Sequence, residues 1–222
     1  MELEIWSDIA CPWCYVGKRR LESALAQFEH ADEVTVAWRS FELDPNAPAE
    51  REGELAGHLA RKYGMPIEQA RESQRGLTAM AATEGLEFRF DLARSGNTFD
   101  GHRLVHLAAE HGSQEAMKER LMRAYFTEGR LISDPETLMA LGTEVGLPTA
   151  EIEALLAGDR FADEVRADEQ AAARLGVSGV PTFIVDRRVG VTGAQPPELI
   201  LQMLRRGWAS GETVAAGPAP AS

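Results

Sequence analysis

Cys11 and Cys14 are the only cysteines in the 222 residues of this chain, and just Pro12 and Trp13 separate them. Packing alone gives no reason to place two thiols so close together, so the pair is a candidate for chemistry. Two thiols at this spacing can exchange disulfides with a substrate or bind a metal ion. An inert pair is the third interpretation.

The surroundings of the pair favour redox chemistry. Alternation from Glu2 to Ile5 predicts a β-strand, and Pro12 fits the first position of a following helix. Cys11 would then be the N-cap residue, where unpaired backbone N–H groups and the helix dipole are expected to lower the thiol pKa below ~8.5. Cys11 is therefore the expected nucleophile. Cys14, at the third helical position, would resolve a mixed disulfide formed on Cys11.

Trp13 stands where a histidine would be expected to stabilise the thiolate further. Tryptophan adds apolar area and no charge, so the motif predicts a milder oxidant than one with histidine at this position. We expect Trp13 to be exposed beside Cys11 and to contact the substrate. Tyr15 either joins Trp13 in an apolar lip or turns into the core.

A structural metal site is the main alternative for the cysteines. His102 and His106 could complete a Cys2His2 set. On a helical projection both histidines lie roughly opposite Leu104 and Leu107, so we expect them to be solvated surface groups. The 87 residues between Cys14 and His102 also exceed the spacing of a zinc finger. The sequence therefore predicts no metal.

Composition argues against several classes of partner. A formal net charge of −12 without a long basic run argues against nucleic acid and anionic membranes. No window approaches the roughly 18 to 20 apolar residues of a membrane-spanning helix, and the first ten residues do not read as a secretory signal. We expect a cytoplasmic protein, in which a close cysteine pair indicates redox or metal chemistry.

The elements that position the cysteines fall into two groups. A strand at residues 2–8, a helix from Pro12 and a strand at residues 34–41 predict a βαβ unit. From about residue 49 to 176 the pattern predicts six or seven helices, with a short extended piece at residues 88–90 as an alternative within that stretch.

The C-terminal part returns to strand character. Residues 181–185 and 189–191 predict a hairpin, and Pro196 with Pro197 begins a final helix, with Leu199 among its predicted buried residues. From residue 209 the chain is too poor in bulky apolar groups to offset its ordering entropy, so we expect a disordered tail.

Four segments resemble those of DsbA-like thioredoxin-fold proteins, in particular the cytoplasmic FrnE-like branch. They are residues 7–17, 41–45, 97–104 and 176–183. The resemblance covers about residues 1–207 and implies an α/β thioredoxin fold, βαβ plus ββα, interrupted by a large all-helical insertion. The implied units are a first thioredoxin-like half at 1–44, the insertion at 45–176, the second half at 177–208 and the tail at 209–222.

The resemblance also implies site residues. The Val180–Pro181 bond is expected to be cis and to lie beside the Cys11 sulfur, where its backbone would offer an edge to a substrate; otherwise Pro181 merely begins a strand. The related 2-hydroxychromene-2-carboxylate isomerases and kappa-class glutathione transferases activate glutathione. If this chain did so, Asn97 and Gln195 could contact that small thiol. Otherwise Asn97 begins a helix and Gln195 lies in a turn.

Two departures bear on the chemistry. Some FrnE-like proteins carry a second cysteine pair near the C-terminus, which this chain lacks, so no relay through such a pair operates here. The glutathione-activating relatives typically have serine at the position of Cys11, whereas a cysteine with a resolving partner favours dithiol chemistry. Asp8 is expected to be a turn or capping carboxylate, with proton transfer for Cys14 as the alternative.

The leading hypothesis is a thiol:disulfide oxidoreductase acting on protein or small-molecule disulfides, without a resident cofactor and with glutathione as a candidate co-substrate. The alternatives are a glutathione-dependent isomerase or transferase and a non-catalytic, holdase-like binder. We expect a partner that bears a thiol or disulfide and no nucleic-acid or membrane partner. Whether the protein forms a homodimer is left open by the sequence.

Overall fold

The computed structural model describes the backbone of residues 1–215 and the side chains of residues 1–210. Its strands and helices are, in chain order, β1 (Glu2–Ser7), α1 (Pro12–Leu25), a 3-10 turn (Ala31–Glu33), β2 (Thr35–Ser40), α2 (Leu55–Tyr63), α3 (Ile67–Thr83), α4 (Phe99–Glu110), α5 (Gln114–Phe126), α6 (Pro135–Glu144), α7 (Thr149–Ala157), α8 (Ala162–Arg174), β3 (Thr182–Val185), β4 (Val189–Thr192) and α9 (Pro197–Ala215).

A mixed four-stranded sheet in the order β2-β1-β3-β4 carries the cysteine motif at the end of β1. Ile5 of β1 pairs with Trp38 in the parallel β2 and with Phe183 in the antiparallel β3. The strands β3 and β4 form the predicted hairpin. The βαβ and ββα halves are therefore confirmed, and together with the helices between them they form the expected interrupted thioredoxin fold.

Strand β1 is buried on both faces from Leu3 onward, rather than half-buried as its alternation suggested. Leu3 and Ile5 join the main hydrophobic core, whereas Trp6 packs on the opposite face against Ala172 of α8. Trp6 also donates its indole N–H to the Asp168 carbonyl in the same helix. Helices cover both faces of the strand because the insertion folds back over the sheet.

Seven helices, α2 to α8, lie between β2 and β3, which confirms the helical insertion. The segment 88–90 forms no strand in the structure. Instead the rings of Phe88 and Phe90 pack against Phe126 of α5, and the Arg89 N–H donates to the Phe126 carbonyl at 2.7 Å. Aromatic packing, not sheet pairing, explains the run of bulky residues there.

Helix α9 differs from the expectation in two respects. It continues to Ala215, beyond residue 209 where a disordered tail was predicted, and residues 216–222 of that tail lie outside the described part of the chain. Leu199, predicted to be buried, is exposed, whereas Ile200, Met203 and Leu204 enter the core. None of the helices within the described residues is long and apolar enough to cross a bilayer.

Candidate functional site

Helix α1 begins at the cysteine motif as predicted. Cys11 is the N-cap residue with an extended backbone, Pro12 occupies the first turn, and Cys14 is the third helical residue. The carbonyl of Cys11 accepts from the Cys14 N–H at 3.0 Å, which closes the first helical turn. Both cysteines are free thiols. The strand before them ends at Ser7, so a short loop places Cys11 just beyond the C-terminal end of the central strand β1.

The Val180–Pro181 peptide bond is cis and lies against Cys11, which confirms the implied placement. The Cys11 Sγ contacts the Val180 carbonyl oxygen at 3.8 Å. On the other side, Gly17 of α1 packs so closely on the proline that a Cβ built at this position would lie 2.8 Å from Pro181 Cγ. Absence of a side chain at Gly17 therefore lets the helix and the proline loop approach each other.

A cavity of about 530 Å³ opens beside the nucleophile candidate. Cys11 is only 4% exposed but contributes to the wall, whereas Cys14 is completely buried and does not line the cavity. Trp13 is 47% exposed, as predicted, and stands at the rim with the exposed Leu43 and Tyr63. A substrate entering this cavity would therefore meet Cys11 first.

Tyr15 is buried in the core and does not form part of an apolar lip around Cys11. Its ring packs between Phe88 and Phe126, and its hydroxyl donates to Glu119 Oε1 at 2.6 Å. Burial and the hydrogen bond to Glu119 raise the pKa of this phenol. Tyr15 thus fastens α1 to the insertion, and the apolar rim around Cys11 is built without it.

The ionisation of Cys11 differs from the expectation based on the helix N-terminus. Its pKa lies well above the ordinary value, first because its thiol hydrogen-bonds to the Cys14 side chain, and then because of burial and the negative charge of Cys14. The Cys14 backbone N–H lowers the pKa, as predicted, but is outweighed. The predicted net lowering is therefore wrong for this reduced pair, which must lose its two protons in separate steps.

Asp8 is buried close to the cysteine motif, and its carboxylate forms hydrogen bonds to two loops. Its carboxylate accepts the N–H of Ala10 at 3.4 Å and the N–H of Leu43 at 2.8 Å. Burial would raise the pKa of Asp8, but the hydrogen bond and charge of His102, the Leu43 N–H and the charge of Lys118 lower it overall. The Ala10 contact is a turn of the predicted kind, whereas no side chain caps the start of α1, and Asp8 also lines the cavity.

His102 and His106 are not the solvated surface groups that the helical projection indicated. His102 is buried, with Nε2 3.3 Å from Asp8 Oδ1, and His106 Nε2 lies 3.1 Å from Ser40 Oγ. The projection failed because the insertion surrounds α4 with helices on several sides, so that no face of its middle is free. Desolvation lowers the pKa of His102, and the neutral ring donates its Nε2–H to the Asp8 carboxylate.

Lys118 is a site residue that the sequence reasoning missed. It is buried on α5, and its Nζ donates to the Ser7 carbonyl at 3.0 Å, directly before Asp8. Burial lowers its pKa to about 8, although the nearby Cys14, Asp8 and Cys11 oppose this shift. A signal was present, because Lys118, Leu121 and Met122 share the i, i+3, i+4 spacing of one buried helix face.

The lining of the cavity contains three basic side chains together with the carboxylates of Asp8 and Asp44. These basic residues are Arg51, His58 and Lys62, and within the described part of the chain only Arg51 of the three has a salt bridge, with Asp44. His58 Nδ1 lies 3.5 Å from Arg51 Nη1. Burial and then the charges of Arg51 and Lys62 lower the pKa of His58. Lys62 is therefore a cation of the lining without an ion pair among the described residues, whereas Arg51 is paired and His58 is less easily protonated.

Asn97 and Gln195 are engaged with backbone. Asn97 Oδ1 accepts the Phe99 N–H at 2.8 Å at the start of α4, and Gln195 Nε2 donates to the Thr192 carbonyl at 2.8 Å. Among the described residues that line the cavity beside Cys11, neither is present. This geometry matches the helix-start and turn roles, while small-thiol binding by either residue stays a prediction.

The described residues contain no group of three or more histidine, cysteine or carboxylate side chains arranged to hold a metal ion. His102, one of the two histidines of the Cys2His2 hypothesis, directs its Nε2 to Asp8.

Comparison with known proteins gives matches along nearly the whole chain. A family model described as a DSBA-like thioredoxin domain matches residues 2–205. The uncharacterised protein YwbO of Bacillus subtilis is 28% identical over 195 residues, which cover 83% of this chain and 86% of that protein.

Two solved structures show the same architecture. A probable DsbA oxidoreductase from Streptomyces coelicolor superposes with a TM-score of 0.90 at 49% identity, covering 94% of this chain and 90% of that chain. The cytosolic disulfide reductase DsbM from Pseudomonas aeruginosa has a TM-score of 0.63 at 22% identity, covering 98% of this chain and 100% of its own, and shares the fold.

Proposed function

Because the chain belongs to the family of DSBA-like thioredoxin domains, we propose that it is a thiol:disulfide oxidoreductase whose redox pair is Cys11 and Cys14. The observation that carries the proposal is the position of Cys11. Its sulfur lies 3.8 Å from the carbonyl that precedes the cis-proline and lines the cavity, while Cys14 is buried behind it. The Cys11 sulfur can react with a substrate, whereas the Cys14 sulfur can react only with Cys11.

In the reducing direction the reaction proceeds through two exchanges. The Cys11 thiolate attacks a substrate disulfide, a bond forms between Cys11 and one substrate sulfur, and the other substrate sulfur leaves as a thiolate. Cys14, as a thiolate, then attacks Cys11, the mixed disulfide breaks, and the second substrate thiolate leaves. Two electrons pass to the substrate, and the two protons of the dithiol end on the two leaving groups.

The cavity favours a small substrate, or a short extended segment of a larger one. At about 530 Å³ it lies within the range of pockets that hold small molecules. Its rim is apolar at Trp13, Leu43 and Tyr63, and its lining includes the basic residues Arg51 and Lys62. Small-molecule or peptide disulfides that carry a carboxylate match this pattern. Glutathione is a candidate co-substrate, supported by a structure of the related fold in DsbM that contains GSH. We propose no resident cofactor.

Single-cysteine variants test the assignment of the two sulfurs. After exposure to glutathione disulfide, the wild type should form an intramolecular disulfide, seen by mass spectrometry as the loss of two hydrogen atoms. Cys14→Ser should accumulate a glutathione adduct on Cys11, because the resolving thiol is missing. Cys11→Ser, its matched control, should form little adduct because Cys14 is buried. If the wild type forms no intramolecular disulfide under any ratio of reduced to oxidised glutathione, the proposal fails.

The basic residues Arg51 and Lys62 in the cavity lining also keep the glutathione-dependent isomerase or transferase as a second candidate. Such an enzyme needs one activated thiol on glutathione and no resolving cysteine. Isomerisation of 2-hydroxychromene-2-carboxylate that survives in Cys14→Ala would favour this second function over the first. A holdase would instead protect client proteins from aggregation equally well in the double cysteine variant.

A cytoplasmic location is part of the proposal, supported by the cytosolic relative DsbM of the same fold. In such a compartment the glutathione pool would reduce the oxidised pair and allow repeated turnover. Whether the chain acts as a monomer or a homodimer can be decided by light scattering.

A further inference from the structure

The first turn of α4 has an open N-terminus. A helix leaves its first N–H groups without intrahelical acceptors, and an N-cap side chain usually accepts one of them. Asn97 Oδ1 accepts the N–H of Phe99, but the N-cap residue Thr98 forms no side-chain hydrogen bond to the helix. Within the described part of the chain, the N–H groups of Asp100 and Gly101 have no hydrogen-bond acceptor.

Thr98 combines burial with an unpaired hydroxyl. The residue is only 6% exposed, and among the described residues its Oγ1 has no hydrogen-bond partner. It also lines the cavity that contains Cys11. Leaving a buried hydroxyl without a partner costs free energy, which a ligand with a suitable hydrogen-bonding group would recover. The Thr98 hydroxyl is therefore available to a molecule that enters the cavity.

The segment before α4 is fixed in place, so the open end of the helix is preorganised. The Asn97 N–H donates to the Pro48 carbonyl at 2.9 Å, which ties this segment to the loop after β2. Gly96 lies so close to the same loop that a Cβ at this position would collide with the Ala49 carbonyl oxygen. A ligand that binds here would not have to order the segment first.

The first turn of α4 also lies close to the cysteine motif. A Cβ built at Gly101 would lie 2.7 Å from Ile9 Cδ1, in the loop that leads to Cys11. His102, the next residue of the helix, contacts Asp8, which lines the cavity. A group bound at the open end of α4 would therefore share one cavity with the Cys11 sulfur.

The charges around this turn favour a neutral acceptor over an anion. A helix N-terminus attracts anions in general. Here Asp100, paired with Arg103, already places a carboxylate in the first turn. Asp8 is a second, buried carboxylate, and its pKa is lowered, so it is ionised at neutral pH. Asp8 would repel a ligand carboxylate at this place, whereas a carbonyl oxygen can accept the same hydrogen bonds without that repulsion.

We propose that the open N-terminus of α4 is a substrate subsite, in which the Thr98 hydroxyl and the N–H groups of Asp100 and Gly101 bind an amide carbonyl of the substrate. This inference rests on the proposed disulfide chemistry and names its substrate class, which is a peptide-like disulfide with an amide carbonyl near the sulfur. Hydrogen bonds to that carbonyl hold the substrate beside Cys11. Thr98 is thus a binding residue that sets specificity.

Three disulfides test the subsite by reduction kinetics. The disulfide of N-acetylcysteine methylamide carries amide carbonyls, bis(2-hydroxyethyl) disulfide carries no carbonyl, and dithiodiglycolate carries carboxylates instead. In Thr98→Val, kcat/KM for the amide disulfide relative to the hydroxyethyl disulfide should fall about fivefold, the usual effect of losing one hydrogen bond. The loss should lie mainly in KM, because the bond holds substrate and transition state alike. Thr98→Ser keeps the hydroxyl and should retain the wild-type ratio.

Thr143→Val is the matched control for this substitution. Thr143 is exposed on α6, and its hydroxyl donates to the Met139 carbonyl, so the ratio should equal that of the wild type. An unchanged ratio in Thr98→Val would overturn the proposal, even if a loss of stability slowed both reactions. An equal fall in the ratio of dithiodiglycolate to the hydroxyethyl disulfide would also overturn it, because the subsite would then not select a carbonyl.

A redox-inert ligand separates this inference from the proposed function. N-acetyl-S-methylcysteine methylamide has amide carbonyls but no thiol or disulfide. In a ¹⁵N NMR titration of the wild type, the amide signals of Asp100 and Gly101 should shift with saturation, and the Kd should rise about fivefold in Thr98→Val. Unshifted signals, or an equal Kd in the two proteins, would overturn the inference. If these signals respond as expected and the wild type forms no disulfide, the proposed redox function alone fails.

Discussion

At the residue scale, the pair Asp8 and His102 joins the insertion to the redox motif. Asp8 begins the loop after β1, and His102 comes from α4, yet His102 Nε2 and Asp8 Oδ1 are 3.3 Å apart in a buried site. The Asp8 pKa is lowered and the His102 pKa is also lowered, so at neutral pH an anionic carboxylate meets a neutral imidazole. The contact is therefore a charge-assisted hydrogen bond, which needs no proton uptake.

His102 should make the protein acid-sensitive below the ordinary histidine pKa of 6.5. The folded-state pKa is lower than the unfolded-state pKa, so the unfolded chain takes up a proton first, and stability falls by up to about 1.4 kcal/mol per pH unit. His102→Gln keeps a donor for Asp8 but does not titrate. Urea unfolding between about pH 7 and about pH 5 should show that the variant loses less stability than the wild type.

An equal loss of stability in both proteins would contradict this prediction. Asp8 does not affect this comparison, because the pKa of its carboxyl group is lowered and its contribution to stability therefore changes only at a lower pH. Stability from Asp8 is fully present above the unfolded value of 3.8 and is lost only as the pH falls below it toward the folded pKa.

The residue at position 13 should influence the equilibrium between the dithiol and the disulfide of Cys11 and Cys14. It is exposed at the rim of the cavity, so a substitution there changes few packing contacts. Trp13→His would place an ionisable ring beside the two sulfurs and stabilise the thiolate of the reduced form. We expect the equilibrium with glutathione to move about tenfold toward the dithiol, or about 30 mV upward in potential. Trp13→Phe is the neutral control, and an equal shift in both variants would exclude the charge explanation.

At the element scale, the contact between α1 and the loop before β3 fixes the distance from Cys11 to the cis-proline. Helix α1 can approach this loop because Gly17 has no side chain, and Phe183 of β3 lies on the same side. The sulfur and the Val180 carbonyl are positioned by the same contact, since Cys11 begins the helix that carries Gly17. Packing at this glycine therefore controls the geometry of the site.

Gly17→Ala should damage both stability and activity. The new Cβ would lie 2.8 Å from Pro181 Cγ, so the loop must move, at a cost of about 1 to 3 kcal/mol in the free energy of unfolding. We expect a slower reaction with a small disulfide substrate because the proline loop is displaced. Gly76→Ala is the matched control, since Gly76 lies within α3 with open space around it. That variant should gain up to about 1 kcal/mol and react normally.

A normal rate in Gly17→Ala would show that the site tolerates movement of the loop. A destabilised Gly76→Ala would instead indicate that alanine in these helices is unfavourable for another reason. Denaturant unfolding and the rate of disulfide reduction measure the two effects separately.

At the scale of the whole molecule, the insertion and the thioredoxin-like halves share one core. A single hydrophobic cluster includes Ile5 of β1, Val16 of α1, Leu104 of α4 and Leu121 of α5. Buried polar contacts also join the insertion to the thioredoxin-like part, for example the hydrogen bond between His102 and Asp8. Separate cores would allow the two parts to unfold independently, whereas a shared core couples them.

Two spectroscopic probes can test this coupling. All four tryptophans, at positions 6, 13, 38 and 208, lie outside the insertion, whereas seven of the helices that dominate the far-UV circular dichroism lie inside it. We expect the fluorescence and circular dichroism transitions in urea to have the same midpoint, as in a two-state transition. Distinct midpoints would show that the insertion unfolds as a separate unit. The unit boundaries at 44, 176 and 208 remain predictions until such data exist.

The sequence alone determined the order of the fold and the centre of the chemistry. Local signals were sufficient for this: Pro12 marks the start of α1, alternation marks β1 and β2, and the spacing of Cys11 and Cys14 places both in one helical turn. These features depend on residues close together in the chain. The segment resemblance then supplied the cis-proline beside the sulfur, which local signals could not specify.

Tertiary structure decided which polar residues surround the sulfurs and how those groups ionise. His102 and Lys118 lie 88 and more residues from Cys14 in the sequence, and they reach it only because α4 and α5 pack under the motif. A helical projection assumes one solvated face, and helices buried on several sides do not have one. The Cys11 pKa likewise depends on its partner sulfur and on burial more than on the hydrogen bond from the Cys14 backbone N–H, and burial exists only once the chain has folded.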